Sequence, residues 1–202
     1  MIIVGLTGSI GMGKSSAARA FRSFGVAVYD ADAVVHKLLA GGGKAVAAVA
    51  AEFPGVLATD RQGRDFIDRA ALAAQVFGDG PALGRLEGIL HPLAGLAKEK
   101  FLAVAARRGE AMVVLDIPLL LETGGDQLCD VVVVVSAPPF VQAARVLRRP
   151  GMTRERLQAI LDKQMADDEK RLRADFVVRT GLDRAYSLRA IARIVKIIRT
   201  SS

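Results

Sequence analysis

The chain alternates short apolar runs with longer stretches of helical spacing. Ile2-Ile3-Val4-Gly5-Leu6 opens it, and similar runs return at Gly25–Tyr29, Met112–Leu115, Val131–Val135 and Ala174–Val178. Runs this short and this continuous, rich in β-branched residues, predict strands buried on both faces. Between them, apolar residues recur at three- and four-residue steps around 17–21, 33–39, 44–52, 67–77, 81–108, 139–147, 152–172 and 183–199, which predicts helices. Gly41-Gly42-Gly43, Pro54-Gly55 and Pro150-Gly151 punctuate them, residues 59–64 read as a polar turn, and Pro92 must kink or divide the longest helical stretch. Strands alternating with helices predict an α/β architecture of three layers, with a five-stranded parallel sheet covered on both faces. Between the second and third strands the chain spends roughly eighty residues on helices alone, far more than a crossover needs, so a helical subdomain is expected there.

Composition narrows the class. Hydrophobic residues make up 51% of the 202, and mean hydropathy is +0.32, yet no apolar run approaches the roughly 20 residues of a spanning helix. The first strand reads as starting at the N-terminus, so no secretory signal is expected, and the one cysteine, Cys129, excludes an intrachain disulfide. A cytoplasmic protein without membrane attachment is expected. The net charge of +7 favours anionic partners. Aromatic residues are only 5% and tryptophan is absent, so a base-stacking surface is poorly supplied. A substrate bearing several phosphates suits the charge better than nucleic acid does.

The chemistry concentrates at Gly8-Ser9-Ile10-Gly11-Met12-Gly13-Lys14-Ser15, which has the spacing G-x-x-x-x-G-K-[ST] between the first strand and the first helix. Glycines let the backbone curl so that successive N–H groups face inward. Those donors, the helix N-terminus and the Lys14 ammonium all favour phosphate, and the Ser15 hydroxyl suits a magnesium ion. Asp116 closes the third strand, where a metal-associated aspartate of such proteins falls. Asp30 and Asp32 close the second strand; Asp30 reads as a helix cap or an indirect metal contact, and Asp32 as a helix cap or, better, a general base at an acceptor hydroxyl. Arg145, Arg148, Arg149 and Arg154 flank the Pro150-Gly151 break, either as a solvated face or as a lid that folds over a nucleotide. His91 and His36 are isolated, and Cys129 reads as a small core residue.

Together these residues resemble the dephospho-CoA kinase family. The resemblance rests on Leu6–Ser15, Asp30-Ala31-Asp32, Asp68-Arg69 with Leu72, Val76 and Phe77, Leu90-His91-Pro92, Asp116–Glu122, Thr153-Arg154-Glu155, Gln164 and Ala174-Asp175, in that order along the chain. It implies a P-loop kinase fold with a helical acceptor-binding insertion and a helical lid. It implies a nucleotide-binding core of residues 1–32, 110–140 and 174–202, an acceptor subdomain of 33–109 and a lid of 141–173. The activity implied is transfer of the ATP γ-phosphate to the ribose 3′-hydroxyl of dephospho-CoA, the last step of coenzyme A synthesis, with ATP and Mg2+ required. By position, Asp32, Lys14 and Arg145 would be catalytic. Gly8, Gly11, Met12, Gly13, Lys14, Ser15, Ser16 and Arg149 would bind ATP; Thr7, Asp32, His91, Leu119 and Glu122 would bind the acceptor. Ser15, with Asp116, would hold the metal.

Three places in the chain, one of them a run of three residues, depart from the family pattern. His36 stands where arginine is common, Thr180 beside Arg179 where asparagine is frequent, and Asp167-Asp168-Glu169 where basic residues are usual. The rival readings are another small-molecule P-loop kinase, of the nucleoside monophosphate type, and an ATPase that binds nucleic acid. A monomer or weak homo-oligomer is expected.

Overall fold

The computed structural model describes residues 1–200, and it forms two compact units. One comprises Met1–Asp30 and the chain from Val104 onward; the other is Ala31–Ala103. The first unit is built on five strands: β1 (Ile2–Thr7), β2 (Ala27–Asp30), β5 (Met112–Asp116), β6 (Val131–Ser136) and β7 (Phe176–Arg179). They form one sheet in the order β2-β5-β1-β6-β7, every pairing parallel. The five-stranded parallel sheet read from the apolar runs is therefore the observed one. The register sets Leu6 opposite Asp116, and Asp116 opposite Asp30, so both aspartates lie at the carboxyl edge of the sheet.

Side chains alternate across each strand and thereby make two cores. Val4, Leu6, Val114, Val133 and Val135 meet α1 (Lys14–Ser23) and α9 (Arg184–Thr200) on one face. The contribution of α9 is Ile191, Ile194, Val195 and Ile198, one stripe of a 3.6-residue period. On the other face Val132 and Val134 pack with Leu120, Leu121, Cys129 and Met165, so Cys129 is a core contact as expected. A 3-10 turn at Gly125–Leu128 precedes β6.

After β6 come α6 (Pro139–Leu147), α7 (Arg154–Leu161) and α8 (Asp167–Leu172). The single helix expected over 152–172 is thus two. The amides of Asp162, Lys163 and Gln164 still bond back to α7, but Met165 N–H leaves that ladder and donates to Glu122 Oε1 at 3.0 Å. The last strand begins two residues later than expected. Asp175 instead spends its carboxylate on the Val132 amide at 2.7 Å.

The second unit holds α2 (Ala31–Leu39), α3 (Val46–Glu52), α4 (Arg69–Val76) and most of α5 (Gly80–Arg107). Its core joins Leu38, Val46, Val49, Phe53, Ile67, Leu72, Leu86 and Leu90. It is not helical throughout. β3 (Leu57–Thr59) and β4 (Asp65–Ile67) make an antiparallel hairpin whose tip is the polar stretch 59–64. Three-residue strands are too short for alternation to show in the sequence. Asp60 fixes the tip, accepting from the amides of Gln62 and Arg64 at 2.8 and 3.0 Å. Asp68 caps α4 by accepting from the Ala70 and Ala71 amides. Pro92 does not divide α5. The carbonyl it deprives of a partner belongs to Gly88, which is exposed and so reaches water.

Candidate active site

The loop between β1 and α1 owes its shape to glycine. Gly11 and Gly13 take φ of +77° and +94°, a region costly to residues with a Cβ. A Cβ on Gly11 would also stand 2.5 Å from Val146 Cγ2 and 3.1 Å from the Gln142 carbonyl. Only glycine lets α6 approach the loop this closely.

Three consecutive loop carbonyls turn toward protein partners. Gln142 Nε2 donates to the Ile10 carbonyl at 2.8 Å. Arg145 Nη1 donates to the Gly11 carbonyl at 3.3 Å. The Thr180 hydroxyl donates to the Met12 carbonyl in a short hydrogen bond. In a planar trans peptide the N–H points away from the carbonyl of the same unit, so the amides of Gly11 and Gly13 face the opposite side. The Ser16 and Ala17 amides bond back to Gly13, which leaves the first amides of α1 at its open, positive end. Inward amides beside a helix N-terminus make an anion cradle. Met12 ties the loop to β6 as well, its sulfur accepting from the Ala137 amide at 3.1 Å.

Lys14 Nζ lies 2.8 Å from Asp116 Oδ1; the side chains are 15% and 3% exposed. The pair joins the first residue of α1 to the last of β5, the strand adjoining β1. An ammonium held here has lost most of its water and is compensated by the carboxylate it faces, a setting in which a cation acts strongly on a nearby anion. Ser15 and Ser16 are exposed on the first turn of α1, and Ser16 Oγ accepts from Arg19 at 3.1 Å. Arg145 is braced by Thr180: Nη1 reaches its hydroxyl at 3.1 Å and Nη2 its carbonyl at 2.6 Å.

The structure therefore gathers Gly8, Gly11, Met12, Gly13, Lys14, Ser15, Ser16, Asp116 and Arg145 around one loop. The other candidates have different surroundings. Thr7 is fully buried and its hydroxyl donates to the Pro118 carbonyl at 2.9 Å, pinning β1 to the chain after β5. Glu122 accepts from Met165 and pairs at 2.7 Å with Lys170, a fully buried lysine of α8. Leu119 is 39% exposed on the segment after β5, and Arg149 is exposed just beyond α6. Asp32 and His91 are exposed residues of the second unit, on the first turn of α2 and within α5. Asp32 is thus inside a helix rather than capping one.

Sequence reasoning missed Gln142 and Lys170 and gave Thr180 only as a departure. Gln142 carried a signal: it lies four residues before Val146, a polar residue on the buried stripe of α6. The acidic start of α8 also has work, since Asp167 Oδ2 accepts from Ser136 at 2.6 Å and holds α8 to the end of β6.

A family model described as dephospho-CoA kinase matches residues 2–183. The dephospho-CoA kinase of Paramagnetospirillum magneticum is 64% identical over 171 residues, 85% of this chain and 78% of that protein. That of Rhodospirillum rubrum is 56% identical over 190 residues, 94% of this chain and 88% of that protein. A crystal structure of a Thermus thermophilus protein superposes with a TM-score of 0.79 at 34% identity, covering 97% of this chain and 96% of the other.

Proposed function

The chain belongs to the dephospho-CoA kinase family, and from that premise we propose that Asp32, Lys14 and Arg145 carry phosphoryl transfer from ATP to the ribose 3′-hydroxyl of dephospho-CoA. The activity itself, ATP-dependent phosphorylation of dephospho-CoA, follows from the family. The observation that supports the residue assignment best is the row of three outward carbonyls at Ile10, Gly11 and Met12. It gives the loop inward amides for the phosphates of ATP, beside the Lys14 ammonium.

Each residue then has a task. The loop amides and Lys14 hold the β- and γ-phosphates and balance the charge that spreads over the transferring group. Arg145, fixed by Thr180 at the loop's edge, adds a second cation, and Arg149 extends the basic surface beyond α6. Asp32, an exposed carboxylate, orients the acceptor hydroxyl and takes its proton. Ser15 and Asp116 are hard oxygen donors of the kind magnesium takes in ones and twos. That ion, when bound, offsets phosphate charge. Residues 33–109 with His91 would receive the acceptor, Leu119 would line its side of the core on the segment that the buried Thr7 anchors, and 141–173 would close as the lid. The reading places the enzyme in the cytoplasm as a monomer or weak homo-oligomer. Among the described residues no helix is long and apolar enough to cross a membrane.

The test is to supply Mg-ATP and dephospho-CoA and follow CoA and ADP by mass spectrometry, then repeat with Asp32→Asn. The substitution is expected to lower kcat by roughly a hundred- to ten-thousand-fold with the KM for ATP nearly unmoved, the range for a general base. A near-normal kcat removes Asp32 from the role.

A further inference from the structure

Both polar groups of Ile10 are held by glutamine side chains that are distant in sequence. Gln142 Nε2 donates to the Ile10 carbonyl at 2.8 Å, and Gln164 Oε1 accepts from the Ile10 amide at 3.0 Å. The backbone fixes the sense of each bond: an amide can only donate and a carbonyl only accept, so Gln142 must present its NH2 and Gln164 its oxygen. Two peptide planes meet at the Ile10 Cα, and each is tied to one glutamine. The second plane carries the Gly11 amide, the first of the inward donors.

Neither glutamine is loosely placed. Gln142 is 6% exposed on α6. Gln164 lies in the break between α7 and α8, directly before Met165, whose amide donates to Glu122 at 3.0 Å. Glu122 is in turn paired with the fully buried Lys170 at 2.7 Å. A line of contacts thus runs from the ion pair beneath α8 through Gln164 to the loop.

We propose that Gln142 and Gln164 are positioning residues for ATP: they clamp the Ile10 peptide and so aim the Gly11 amide at the nucleotide phosphates, and the Glu122–Lys170 pair seats Gln164. The proposal rests on reading residues 8–15 as the ATP cradle. It assigns the Glu122 carboxylate to holding the α7–α8 break, not to gripping the acceptor.

The required polarity supplies the test. Glutamate at either position adds one charge next to the same residue, but only at 164 can a carboxylate still make the native bond, because there the side chain accepts. At a pH where both carboxyls are ionised, the KM for ATP and for dephospho-CoA would be measured for Gln142→Glu, Gln164→Glu, Gln142→Leu, Gln164→Leu and Lys14→Ala. Gln142→Glu, Gln142→Leu and Gln164→Leu are expected to raise the KM for ATP roughly tenfold, the cost of one unsatisfied buried polar group. Gln164→Glu should stay within about threefold of wild type, and the KM for dephospho-CoA should stay constant in all four. Equal effects of the two glutamates, or a wild-type KM for ATP in Gln164→Leu, would overturn the clamp. Position 164 is half-buried between helices, so its variants stay informative even where the buried Gln142 changes impair folding. Wild-type ATP binding by Lys14→Ala would instead defeat the cradle reading, so the two failures are distinguishable.

Discussion

Replacing Thr180 by valine keeps its size and removes one hydroxyl. That hydroxyl donates to the Met12 carbonyl and accepts from Arg145 Nη1. Thr180 and Met12 are 6% and 2% exposed, so water cannot take the vacated place. An unsatisfied buried carbonyl costs about 1–3 kcal/mol. Arg145 keeps its bonds to the Gly11 and Thr180 carbonyls, so its share of the loss is smaller, about 1 kcal/mol. The sum is about 2–4 kcal/mol, which should lower the urea midpoint by about 1–2 M at unchanged slope. Thr180→Ser is the control: it retains both bonds and loses one methyl, at about 1 kcal/mol. Urea unfolding of the three proteins should give the order wild type, serine, valine. The KM for ATP should rise in the valine protein, whose Met12 peptide is free to turn, and much less in the serine protein. A valine variant as stable as the serine variant would refute the reasoning, because the methyl and not the hydroxyl would then matter.

Other outcomes follow from the same geometry. Gly11→Ala should weaken ATP binding by tenfold or more while the sheet remains folded by circular dichroism, because the added Cβ meets Val146 at 2.5 Å and φ is +77°. Lys170→Met alone strands Glu122 and should destabilise by about 3–5 kcal/mol in thermal or urea unfolding, whereas Glu122→Gln with Lys170→Met should recover most of that. The Asp60 carboxyl is held below its ordinary value, first by the Arg64 amide, so the folded hairpin binds this proton less readily than the unfolded chain. Its contribution is present above the ordinary carboxylate pKa and lost as pH falls through the lowered one, which NMR titration of the Arg64 amide would follow.

Much of the molecule was legible in the chain itself. Continuous apolar runs gave the five parallel strands, since a strand covered on both faces has no reason to alternate. Gly8 to Ser15 gave the loop, since glycine and lysine at that spacing serve a backbone curled round an anion. The hairpin at 57–67 and the break at 162–166 were not legible. Three-residue strands show no period, and the break in the helix is set by the Met165 amide finding Glu122 more than forty residues away.

The sequence by itself determined which residues carry charge, which runs enter the sheet and where the glycine–lysine loop falls between the first strand and the first helix. All of these depend on neighbours a few residues apart. Only the tertiary structure decided which groups hold that loop in shape. Gln142, Arg145, Gln164 and Thr180 lie more than 125 positions beyond it in the chain, and they serve it because the order β2-β5-β1-β6-β7 sets β6 beside β1, and β7 beside β6. The same packing turned Lys170, one more charge in a polar stretch of the sequence, into a fully buried partner of Glu122. A hydrogen-bonding group displays its type in sequence, but its partner is settled only when folding excludes water and leaves one geometry to satisfy it.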